Sequence, residues 1–144
     1  MESRKSPEDE TVLVAGAGVA GICAALQSAR SGARTLLIER SGVNGGTMVL
    51  SGIACPGLFF DWHGRQIISG IGWELVDECV TLCGDTLPDF TRYRPEDFWR
   101  FQIPVDPVVF SALCDEKLRQ AGVTVQYHAG RAAPGWRALG RGPL

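Results

Sequence analysis

Nothing in the 144 residues has the form of a secretory leader or a membrane span. The first ten, MESRKSPEDE, are polar and charged, and no later apolar run approaches the roughly 20 residues that a bilayer-crossing helix needs. The chain is therefore read as cytoplasmic, without a membrane partner. It also lacks an excess of either charge. Fourteen Lys and Arg against sixteen Asp and Glu leave a formal net charge of −2, which offers no general attraction to nucleic acid, so any bound phosphate has to be held by local geometry. A disulfide pattern is missing too. Cys23, Cys55, Cys79, Cys83 and Cys114 form an odd set scattered through apolar patterns, which suits reduced thiols. There is no internal repeat. What remains is a chain with 45% hydrophobic and 21% charged residues, able to bury one small core.

The organisation follows from apolar runs and glycines. TVLVA, Thr11 to Ala15, is a short apolar run ending at glycine, the form of a buried parallel strand. Val19, Ile22, Cys23, Leu26 and Ala29 then recur at helical spacing, Gly32 stands where a left-handed cap is wanted, and ARTLLIE supplies a second strand. Strand, glycine turn, helix and strand make a βαβ unit. From Arg40 to Arg65 the chain is glycine-rich, with at most a short helix at Thr47 to Leu50. A helix is expected from about Ile67, with Ile68, Ile71, Leu75, Val76, Cys79, Leu82 and Cys83 on one face and Gly84 at its end. DTLPDFTRYRPEDFWRFQIP reads as an irregular, partly buried excursion. Asp106-Pro107 opens another helix, buried through Phe110, Leu113, Cys114, Leu118 and Ala121 and closed by Gly122, before a third strand in VTVQYH. These residues describe a polar extension at 1–10, an α/β unit at 11–129 and a tail at 130–144. The tail, rich in glycine and arginine without usable period, is expected to be disordered.

The motif GAGVAG carries the chemistry. Gly16 permits the tight turn out of the strand, Gly18 lets a pyrophosphate approach the backbone, and Gly21 allows close packing of helix on strand. The helix that begins at Val19 and Ala20 offers N–H groups and the positive end of its dipole to that pyrophosphate. Glu39 closes the second strand close to the offset expected of the acid that accepts hydrogen bonds from a ribose diol, and its charge would repel a 2′-phosphate. Alone, the glycine motif would be read as a flexible turn. Strand before, helix after and acid at the second strand end together favour dinucleotide binding, FAD or NAD over NADP.

Periodicity does not separate FAD from NAD, and the next segment bears on that choice. GAGVAG, IER, NGGTMVLSG, GIGWELVDECV and VDPVVFSALCDEKLRQAGVTVQYH, in that order from about Val12 to His128, resemble the FAD-dependent oxidoreductase family of two-domain flavoproteins. The family is distantly similar to the flavoprotein subunits of heterodisulfide and fumarate reductases. The resemblance implies a partial doubly wound, Rossmann-like α/β domain, a parallel sheet with flanking helices in 3-2-1-4 strand order, truncated after the third main strand. It implies pyrophosphate contact at Gly16, Gly18 and Gly21, ribose contact at Glu39 with Arg40 beside it, and approach of Gly45, Gly46 and Thr47 to the inner half of the cofactor. FAD is the implied cofactor and NAD the alternative; no iron–sulfur cluster is expected. The implied activity is flavin-mediated hydride or electron transfer with a small-molecule substrate or electron donor or acceptor. Members of this family continue past the third strand into further strands and a substrate domain. Their motifs are missing after His128, so the chain is expected to be a truncated or frame-shifted fragment, and one without activity of its own is a further alternative.

Other candidates read more simply as structure. Cys79 and Cys83, four apart on a helix, are expected to be core residues, since no second pair completes a metal site. His63 in FDWHGR could move protons near neutral pH, but a solvated loop histidine is the simpler reading. Glu74, Asp77 and Glu78 fall on the wet face of a helix. Trp73, Trp99 and Phe101 could line a cavity, though core packing explains them with fewer assumptions.

Overall fold

The computed structural model describes residues 11–57, 59–92 and 94–129; the polar extension at 1–10 and the tail at 130–144 lie outside them. The strand β1, Thr11–Ala15, runs into helix α1, Val19–Arg30, and returns in strand β2, Arg34–Ile38. The turn between α1 and β2 closes as the glycine requires. Gly32 sits at φ +89°, and the Gly32 and Ala33 amides donate back to Ala29 and Ser28. One helical turn, α2, spans Thr47–Leu50; α3 spans Ile71–Leu82 and α4 Pro107–Gln120 before strand β3, Thr124–Gln126. The proline-rich excursion between α3 and α4 contains two 3-10 segments, Phe90–Arg92 and Pro95–Phe101.

The sheet is parallel, in the order β1-β2-β3, with Leu13 beside Leu36 and Leu36 beside Thr124. This is the 3-2-1 part of the expected order, and the architecture is a partial Rossmann-like α/β fold. Alternation along the strands sends Val14, Leu37 and Val125 into the core with α1, α3 and α4, while Leu13 on the opposite side is 52% exposed. Ile22, Ala25 and Leu26 of α1 meet Leu75, Val76, Cys79 and Val80 of α3 and Phe110, Cys114 and Leu118 of α4 in that core.

Helix α4 starts as its sequence dictates. The Asp106 carboxylate accepts from the Val108 and Val109 amides at 2.8 and 3.0 Å, and Pro107 fills the first helical position, where no amide is needed. Helix α3 starts later than its apolar spacing predicts. Gly70, at φ +86°, breaks the backbone before Ile71, and the Ile67 and Ile68 amides are held instead by the Phe59 carbonyl. Ile68 is consequently outside the helix and exposed, Leu82 and Cys83 are exposed at the far end of α3, and Val80 takes a place in the buried face.

Phe110, with no exposed surface, lies where these helices converge. Phe110→Ala should lower stability by about 3–5 kcal/mol, the range for emptying a buried aromatic site, read as an earlier midpoint in urea unfolding.

Candidate cofactor site

The glycine motif forms a turn clamped from two sides. On one side, the Gly16 amide donates to the Ile38 carbonyl at 2.8 Å and the Ala17 amide donates to Glu39 Oε2 at 2.7 Å, so the end of β2 sets the path of the turn. On the other, the Gly45 amide donates to the Ala17 carbonyl at 2.8 Å, and Gly18 and Gly45 pair as a parallel bridge. The Gly45-Gly46 pair is therefore no surface turn. Gly46 lies so close that a Cβ on it would come within 2.8 Å of the Gly18 Cα, and both glycines have positive φ, +92° and +53°.

Each glycine of the motif meets a different constraint. Gly16 turns the chain at φ +102°. A Cβ on Gly21 would sit 1.8 Å from the Gly16 carbonyl oxygen, so α1 rests directly on the turn. A Cβ on Gly18 would meet only the Gly46 Cα, at 4.0 Å, so the space in front of this residue is open. Helix α1 begins there without a side-chain cap and without an acid in its first turn, which leaves Val19, Ala20 and Gly21 at a helix end suited to an anion.

Glu39 is almost buried, at 8% exposure. Burial alone would raise its pKa, but the Ser41 amide at 2.8 Å, the Ala17 amide and the Ser41 hydroxyl outweigh it and hold the carboxyl below its ordinary range. The Ser41 hydroxyl also lies 2.7 Å from the Val43 carbonyl and has one proton to give. Of the about four acceptor positions on a carboxylate, these three donors take three and the Arg40 amide also acts on it, so Glu39 has at most one left for a ribose hydroxyl while tying the glycine turn. Arg40, next in the chain, is exposed, as is Thr47 at the start of α2.

One residue has no counterpart in the sequence reading. Asn44, fully buried ahead of Gly45, donates through Nδ2 to the Ser111 carbonyl at 3.1 Å and to Asp115 Oδ1 at 2.8 Å, with the Tyr127 hydroxyl at 3.1 Å. Tyr127 in turn donates to the same Asp115 oxygen. Burial first, then the Asp115 carboxylate, pushes the Tyr127 hydroxyl up to about 12, so it remains protonated at neutral pH. The network fastens the Gly45-Gly46 loop to α4 and the end of β3. A single polar residue between two glycine-bearing turns was the available signal, but its partners lie 67 to 83 positions away.

A family model described as FAD dependent oxidoreductase matches residues 11–136. The chain belongs to this family. FAD is thus its cofactor, and the open approach to Gly18, the uncapped start of α1 and the spare capacity of Glu39 fit the diphosphate and ribose of such a group. No curated protein matches the chain. Solved structures similar to this FAD dependent oxidoreductase chain include THI4 from Thermovibrio ammonificans, at 18% identity over 82% of this chain and 38% of that one, TM-score 0.47. L-amino acid deaminase from Proteus vulgaris is similar at 14% identity over 89% and 41%, TM-score 0.46. The 3-ketosteroid-delta4-(5alpha)-dehydrogenase from Rhodococcus jostii RHA1 is similar at 19% identity over 83% and 38%, TM-score 0.43. The chain spans about two fifths of the length of each.

His63 and the cysteine pair lie elsewhere. His63 accepts from Trp62 Nε1 at 2.7 Å in an exposed turn, Cys79 is buried and Cys83 exposed. Glu74 and Glu78 pair with Arg30 and Lys117 across helices. Among the described residues, no group of three or more His, Cys, Asp and Glu could hold a metal ion, and no helix is long and apolar enough to cross a membrane.

Two outcomes follow from this geometry. Because the folded carboxyl of Glu39 is held low, its stabilising contribution is fully present above the ordinary carboxylate pKa and lost as pH falls through the lower folded value. Glu39→Gln should flatten this acid limb of the stability profile, as measured by urea unfolding at a series of pH values. Gly21→Ala forces a methyl against the Gly16 carbonyl and should destabilise the fold by about 1–3 kcal/mol, the usual cost of overpacking, read from thermal unfolding.

Proposed function

We propose that this chain holds the adenosine and diphosphate half of FAD and forms the cofactor-gripping part of a flavin-dependent oxidoreductase. The observation that carries the reading is the stacking of the Gly45-Gly46 loop on Gly18, which leaves open backbone in front of a helix start. In this reading, Val19, Ala20 and Gly21 direct their amides at the diphosphate, where the helix dipole favours negative charge. Gly16 and Gly18 admit it without a side chain in the way. Glu39 accepts a ribose hydroxyl, and Arg40, exposed next to it, lies at the adenosine end. Gly46 and Thr47 line the way towards the flavin ring. Bound FAD supplies hydride or electron transfer; the protein contributes position and electrostatics.

The partner is a small-molecule substrate or electron donor or acceptor. The compartment that suits five unpaired cysteines is the cytoplasm.

Gly18→Val separates fold from binding. There is room for a side chain beside Gly46, so the variant should keep the wild-type circular dichroism and melting behaviour while losing FAD. The wild-type protein, mixed with FAD and desalted, should stay yellow and the variant should come through colourless. A variant that retains as much flavin as the wild type would contradict the assignment.

A further inference from the structure

A cavity of about 390 Å³ opens between the loop from Cys55 to Ile67 and the two 3-10 segments. None of residues 16–21 or 39–47 lines it, so it is separate from the glycine turns. Its walls are rings. Phe60 and Phe90 stack with centroids 4.0 Å apart and planes 5° from parallel, and Trp73 backs Phe59 and Phe60 at 5.1 and 5.3 Å. Packed rings of this kind hold their shape without a ligand, which lowers the ordering cost of binding.

The polar groups on the wall restrict the occupant. Among the described lining residues the one charge is Asp61, and its carboxylate is committed to its own turn. It accepts from the His63 and Arg65 amides at 2.9 Å each and pairs with the Arg65 guanidinium at 3.0 Å. An ionic ligand would find no free counter-charge in this set and would lose hydration without compensation. Gln102 carries an amide that pairs with no described residue, and it can both donate and accept. Cys55, with an exposed thiol, stands on the same wall.

We propose that this cavity is a binding site for a flat, uncharged, ring-bearing small molecule with one hydroxyl or carbonyl at its edge, its rings against Phe60 and Phe90 and its polar group on Gln102. The volume falls in the usual range of small-molecule sites, and an apolar wall with one convergent hydrogen-bonding group is their usual composition. The site does not rest on the FAD reading, because binding here requires no cofactor.

Alkylation of Cys55 by iodoacetamide, followed by peptide mass spectrometry, tests the proposal with Cys83 as an internal control. Cys83 is exposed at the end of α3 and does not line the cavity. 2-Naphthol should protect Cys55 and leave Cys83 unchanged. 2-Naphthoate, with the same rings and a charge, should need at least about tenfold higher concentration, the factor that 1.4 kcal/mol of uncompensated desolvation supplies. Ile67→Arg, at a wall position whose side chain is 62% exposed and so dispensable for folding, should abolish protection. Equal protection of both cysteines, equal potency of the two ligands, no protection of Cys55, or undiminished protection in Ile67→Arg would each overturn the proposal. Protection that appears without ligand and grows with protein concentration would also overturn it, by identifying a second copy of the chain as the occupant.

Discussion

The hydrogen bond from the Ala17 amide to the Glu39 carboxylate joins two turns that are 22 positions apart in sequence. It spans the ends of β1 and β2, and the rest of the site is arranged around it. With Ala17 held on one side by Glu39 and on the other by Gly45, the glycine turn has little freedom to close over the start of α1. A buried carboxylate that accepts two backbone amides is favourable only while it is ionised, so the same bond ties the shape of the site to the charge of one residue. Glu39 thus shapes the turn, and under the proposed function it is also the acceptor for a ribose hydroxyl.

The support extends inward from that bond. The Glu39 amide and carbonyl pair with Gln126 and Ala129 at the end of β3, and the Ser41 carbonyl accepts from His128. His128 takes a left-handed backbone, φ +54°, with its ring against Gly42, where a Cβ would come within 2.9 Å of it. Asn44 then carries the loop onto α4 through Ser111 and Asp115. A loop rich in glycine would otherwise be mobile. Here it is pinned at both ends of its course by buried polar contacts, which lets Gly45 and Gly46 lie against Gly18 at a fixed distance.

The first thirty residues of the fold were legible because each boundary has a local cause. An apolar run ending at Gly16, a helical face ending at Gly32 and an acid closing β2 are written at short range, and the structure follows them with β1 at Thr11–Ala15 and α1 starting at Val19. The Asp106-Pro107 start of α4 was legible for the same reason. The start of α3 was not, because Ile67 and Ile68 match the helical spacing and only the positive φ of Gly70, with the pull of the Phe59 carbonyl, removes them from the helix. The double hydrogen-bonding duty of Glu39 was hidden because the ribose reading already accounted for an acid at that position. Asn44 was hidden by distance in sequence. Its buried Oδ1, which has no partner among the described groups, could not have been inferred without the fold.

The central proposal is that backbone amides at the start of α1 face the diphosphate of FAD while Gly46 and Thr47 lie towards its flavin half. Two-dimensional amide NMR of the isotopically labelled chain, titrated with FAD, tests it most directly. The account predicts the largest shifts at Val19, Ala20, Gly21, Gly46 and Thr47, with amides in the aromatic cavity such as Ile103 unmoved. Shifts confined to the cavity residues, with the glycine-turn amides unchanged at saturation, would contradict it.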